Sequence, residues 1–111
     1  MAAVSSPKRT VPVDAYVLDV LLRDLVGHDK QPAAFLVFLH LYGVSARQRW
    51  RPAAASLLRH IAEATGLSKS AVQVAVQTLR RRELIVMERS HSTATPRHRP
   101  LRRWAIDSKW S

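Results

Sequence analysis

The sequence predicts a mainly α domain with one small β-hairpin, and three observations predict it. Leu18, Leu21, Leu22 and Leu25 recur at helical spacing, and the run AAFLVFLHLYGV (residues 33 to 44) is apolar almost all round. The text IAEATGLSKSAVQVAVQTLRRRELI (residues 61 to 85) carries an amphipathic helical pattern that breaks once, at Gly66-Leu67-Ser68, and resumes. LIVMER (residues 84 to 89) follows directly, apolar and β-branched enough for a strand.

A chain of 111 residues with 47% apolar side chains holds one modest core. We read 1–11 as a flexible arm, 12–106 as a single domain and 107–111 as a C-terminal tail. Cysteine is absent, which removes disulfides and thiolate zinc sites. The N-terminus has no apolar signal segment, and the longest apolar run is too short for a bilayer. A cytoplasmic protein without a membrane partner is the expectation. Charge divides the chain unevenly. Residues 1–46 carry four cations and four acids, whereas residues 47–111 carry fourteen cations against four acids, which is the whole excess of ten. That asymmetry points to a polyanion-facing surface in the second half.

The first helix is expected over 12–26, with Pro12 in its first turn and Gly27 as its stop. Its aspartates at 14, 19, 24 and 29 make no helical face and read as solvated polar positions. A second helix is expected from Pro32 to Val44, capped near Asp29 or Gln31, as the buried centre of the domain. His40 is its lone polar member and reads as a hydrogen-bonded or edge-exposed core residue. Residues 45–56 read as a connector with a short strand. Ser56 then reads as the cap of a helix over 57–65, with Leu58, Ile61 and Ala62 on its inner face.

Gly66 ends that helix, because a left-handed terminal residue costs least as glycine. Ser68 caps the next helix, 69–82. A three-residue link forces the two helices to cross steeply, with Ala62 small enough to let them approach. Val72, Ala75, Val76 and Leu79 make the inner stripe. Lys69, Ser70, Gln73, Gln77, Arg80 and Arg81 make the opposite face. Glutamine suits adenine, and Lys or Arg suits guanine or phosphate.

On these residues the sequence resembles the winged helix-turn-helix superfamily, best known from small bacterial transcription regulators. The matching signature is Ala62, Gly66 four later and Val72 six after that, with the cap-rich LSKS and the terminal LRRRELI. The resemblance is specific over 58–85 and covers 33–106 in outline. It implies a winged helix-turn-helix with an extra N-terminal helix. It also implies that the helix at 69–82 enters the major groove and that a wing touches phosphate or the minor groove. Glu83 stands where that superfamily usually has glycine, which implies a tighter or shifted exit from the helix.

LRRWAI (residues 101 to 106) reads as the second strand, paired with 84–89 across a polar loop. This makes a basic wing over 89–103 with Arg89, Arg97, Arg99, Arg102 and Arg103. Trp104 and Trp110 read as hairpin packing or as base-stacking groups. His60, His91 and His98 lack the spacing of a zinc site. No phosphate loop, metal motif or nucleophile with a base partner is visible, so neither catalysis nor a cofactor is expected.

The expectation is therefore a sequence-specific regulator of transcription bound to double-stranded DNA, cytoplasmic and nucleoid-associated. Its DNA-binding residues are Ser68 and the side chains named on the helix face and the wing. A plasmid or phage replication or partition factor, and a winged-helix adaptor for a protein partner, are the alternatives. A homodimer, if formed, uses residues 12–26.

Overall fold

The computed structural model describes residues 9–51 and 56–106. It is mainly helical, with one two-stranded antiparallel sheet. The expected arm up to residue 8, the tail with Trp110 and part of the connector lie outside the described residues.

Helix α1, Pro32–Arg47, is the centre of the molecule. Pro32 occupies its first turn, where a missing N–H costs nothing. Phe35, Val37, Phe38, Leu41 and Tyr42 are buried on successive sides. The N-terminal helix, α2, α3 and the hairpin all pack against it. It passes the expected end at Val44. The helix runs on to Arg47 because Ser45 is buried and Ala46 packs on the core.

The N-terminal helix, residues 15–28, differs from the expected one. Its turns are wide, in π form over Val17–Leu21 and Arg23–His28. Leu22 N–H donates to the Val17 carbonyl, and Asp29 N–H donates to the Asp24 carbonyl at 2.8 Å. Wider turns re-aim the side chains. Val17, Leu21 and Leu25, four residues apart, are buried, whereas Leu18 and Leu22 are 52% and 39% exposed. The leucine stripe read at 3.6-residue spacing is thus split. Pro12 precedes the helix, since Val17 N–H closes the first turn on the Asp14 carbonyl at 3.0 Å. Gly27 lies inside it, and the chain turns instead at Lys30, at φ 55°.

Helix α2, Leu58–Thr65, and helix α3, Lys69–Arg81, are joined as the sequence predicts. Gly66 sits at φ 78° and its N–H closes on the Ala62 carbonyl at 2.9 Å. Ser68 caps α3, its Oγ accepting from Ala71 N–H at 3.1 Å. Val72, Ala75, Val76 and Leu79 are buried. Each such valine or leucine contributes about 1.5–3 kcal/mol against leaving it in water. Ser56 is not the cap of α2. It is buried, and exchanges two backbone hydrogen bonds of 2.7 Å with His98 as an isolated bridge.

At the exit of α3, Glu83 takes φ 57°, the conformation a glycine would supply. Glu83 N–H donates to the Arg80 carbonyl, and Leu84 N–H reaches back to the Leu79 carbonyl, both at 2.9 Å. These two bonds are the Schellman closure of a helix. The exit is therefore the ordinary glycine-type turn made by a glutamate, neither tighter nor shifted.

Strand β1, Ile85–Glu88, pairs antiparallel with β2, Arg97–Pro100, placing Ile85 opposite Pro100 and Met87 opposite His98. The second strand is thus not 101–106. His98 and Pro100 point inward and Arg97 and Arg99 outward, an alternation the text RHRP conceals. Past Pro100 the chain turns into helix α4, Arg103–Ile106. That turn carries Trp104 to the N-terminal helix. There it stacks on Tyr16 at 4.7 Å, and its Nε1–H donates to Asp14 Oδ2 at 2.8 Å.

Candidate nucleic-acid interface

Lys69, Ser70, Gln73, Gln77, Arg80 and Arg81 are all exposed on the outer face of α3. Their arrangement follows from the burial of Val72, Ala75, Val76 and Leu79 on the other side. Among the described residues, Lys69, Arg80 and Arg81 meet no carboxylate. Ser68 stands at the head of this face but is engaged as the cap, with Ser70 Oγ 3.3 Å away. Val74 is 48% exposed, the one large apolar side chain of α3 left in water.

The N-terminal half of α3 borders a groove of about 320 Å³. Leu57 and Leu58 from the start of α2, and Thr95 and Pro96 from the hairpin loop, form its walls. Lys69, Gln73 and Arg59 supply its polar atoms. Arg59 is exposed in the first turn of α2 and is not among the residues the sequence singles out. Its signal was its position, at the start of the short helix that is packed across the head of α3. The positive end of α3 opens beside it.

The arginines expected on a wing divide. Arg89 and Arg97 flank the loop and are exposed. Arg99 Nε donates to Glu88 Oε2 at 2.9 Å across the strands. The Arg102 guanidinium carbon lies over the Trp50 ring, 3.8 Å from its centroid. Arg103 donates to the Glu83 carbonyl at 3.1 Å and to its carboxylate at 2.9 Å. Arg102 and Arg103 therefore belong to the return from the hairpin to the core, not to a wing ending at 103. Arg82, just past α3, reaches Asp24 at 3.4 Å and Asp29 at 3.3 Å. With Asp14 holding Trp104, three of the four aspartates read as solvated are structural partners instead. Trp104 packs on the N-terminal helix and on Phe38 and is not free to stack on a base.

His98 is buried at the centre of β2, and neither ring nitrogen has a partner among the described residues. Burial, and then Arg80, lowers its pKa, so the ring is neutral. His40 is lowered in the same way, by burial and then Arg47. Among the described residues no group of three or more histidines and acids is placed to hold a metal ion. No described helix is long and apolar enough to cross a membrane.

The architecture and this surface define a mainly helical domain with a small hairpin and an exposed basic helix face that meets no carboxylate among the described residues. No known family, curated protein or solved structure matches the chain.

Proposed function

We propose that the protein is a winged helix-turn-helix that binds double-stranded DNA and regulates transcription by reading sequence with α3. The observation that carries this reading is the outer face of α3, where three cations and two glutamines stand exposed on one helix, the cations without a carboxylate partner among the described residues. Glutamine amides are matched to adenine, and the cations to guanine or phosphate. The loop with Arg89 and Arg97 is the wing, and Arg59 adds a phosphate contact at the groove. The Ser56–His98 bridge supports the winged form, because it ties the start of α2 to the hairpin as a third, one-residue strand. The role is non-enzymatic and placed at the nucleoid.

Tyr16, Leu18, Leu22 and Val26 leave an apolar stripe exposed on the N-terminal helix, which supports pairing with a second copy there. The adaptor reading draws on the exposed Val74 of α3. A replication or partition role would use the same DNA face and differ in where its sites lie.

The test is retention of a labelled mixed-sequence duplex by the pure protein at about 50 mM and 150 mM salt. Binding at low salt that weakens steeply at the higher one is expected. No retention at either concentration contradicts the proposal and favours a protein partner.

A further inference from the structure

A second basic site lies at the other end of the hairpin. Thr95 and Pro96 line the groove beside α3, whereas Pro100 and Leu101 line a separate hollow of about 220 Å³. Along β2 their nearest lining residues, Pro96 and Arg99, lie about 10 Å apart, at about 3.3 Å per residue. Trp50, Arg99 and Arg102 face this hollow, with Ala105 completing its apolar wall.

Its geometry is built rather than incidental. Arg49 and Trp50 take φ 56° and 62°, two consecutive left-handed residues without glycine. Strain of this kind persists only where the surroundings impose it. Trp50 N–H donates to the Ser45 carbonyl at 2.7 Å, which fastens the turn. The turn sets the Trp50 ring nearly perpendicular to Tyr42, with centroids 4.8 Å apart, and beneath the Arg102 guanidinium carbon at 3.8 Å. Among the described residues no carboxylate reaches Arg102. Stacking holds a guanidinium by its face and leaves its N–H edge free, and that planar fork matches two oxygens of a phosphate. The side chain is already ordered, so a ligand meets less entropic cost. Arg99 spends its Nε on Glu88 and keeps its terminal nitrogens. Arg47, Arg49 and Arg51 are exposed nearby in the chain and raise the local positive potential.

We propose that this hollow is a phosphate-binding site, distinct from the α3 groove, that takes a phosphoryl group through the stacked Arg102 with Arg99 beside it. The phosphate belongs to a free nucleotide or to a nucleic-acid strand, two sources of one chemistry. The proposal goes beyond the reading of α3.

The experiment is an NMR titration of the full chain, following the indole N–H signals, with Trp50 assigned by Trp50→Phe. Inorganic phosphate, a nucleoside monophosphate and a short duplex are added in turn at constant ionic strength, with acetate as the anion control. The Trp50 signal is expected to move saturably while Trp104 stays. Movement with phosphate and the nucleotide assigns the free-nucleotide source, and movement with the duplex alone assigns the strand. Arg102→Ala should weaken the response about tenfold or more, the size of a lost charged hydrogen bond. Arg102→Lys keeps the charge without the fork and should weaken it several-fold. It serves if the alanine variant fails to fold. The responses to inorganic phosphate and to the nucleotide do not involve α3, so they stand or fall separately from duplex binding, and failure here and failure of the α3 reading are told apart. No movement of Trp50 with any phosphate, equal movement with acetate, or wild-type affinity in Arg102→Lys overturns the site.

Discussion

Helix α3 and the hairpin return are both arginine-rich, yet their charges are disposed in opposite ways. On α3, Lys69, Arg80 and Arg81 face water without a carboxylate partner among the described residues. On the hairpin and its return, Arg99 is held by Glu88, Arg103 by Glu83 and Arg102 by Trp50. The difference teaches that a count of cations says how much positive charge a region owns, not how much it can offer. A free cation can meet phosphate with all its nitrogens, whereas one paired with a carboxylate has already committed some of them, and Arg102, resting on an indole, keeps its N–H edge. By this measure α3, with Arg89 and Arg97, is the proposed duplex face.

The strongest way to break the contrast is to remove the free charges. Changing Lys69, Arg80 and Arg81 together to glutamine should weaken duplex binding by about a hundredfold near physiological salt and cut the salt slope by nearly three. Titrations at several salt concentrations read both numbers, and an unchanged slope would place the duplex elsewhere. A finer comparison sets Arg97→Ala against Arg103→Ala. The first should lower the slope by about one. The second should leave it alone and cost at most about 0.5 kcal/mol in thermal unfolding, as an exposed ion pair does.

Glu83 sharpens the same comparison on the stability side. Glu83→Gly relieves a left-handed glutamate and should stabilise the fold by about 0.5–1 kcal/mol in denaturant unfolding, with DNA affinity unchanged. Destabilisation would mean that the Arg103 contacts outweigh the strain. The smallest effect is with pH. His98 and His40 have lowered pKa values in the fold. Above about 6.5 neither the folded nor the unfolded state carries their protons, so they contribute no pH dependence. Below it the unfolded chain takes up protons that the fold refuses, and stability falls with pH until the lowered folded values are reached. Melting curves from pH 8 to 5 should show this decline, and His98→Leu should flatten it. A variant as acid-sensitive as the wild type would remove His98 from the account.

The helix pair at the centre of this reading was legible because its signals are local. Gly66, Ser68 and the apolar period of α3 each act within a turn of themselves, and all three stand as the sequence predicts. What escaped was set by distant partners. Nothing near Arg82 announces Asp24 and Asp29, and nothing near Trp104 announces Asp14, ninety residues away. The strand RHRP looks like a polar loop because its inward residues are a histidine and a proline. The more apolar LRRWAI took its place in the sequence reading, although its tryptophan is needed across the core. The split leucine stripe has the same origin. Wide turns, which no local residue dictates, decide which leucines are buried.

The central proposal is that α3 reads bases, and selection from a randomised duplex pool tests it most directly. Wild-type protein and Gln73→Ala would be run side by side near physiological salt. The account predicts an enriched motif for the wild type, and in the variant a loss of preference at one base pair, worth about 1–3 kcal/mol. Binding without enrichment, or a motif unchanged by Gln73→Ala, would contradict the placement of α3 in the groove.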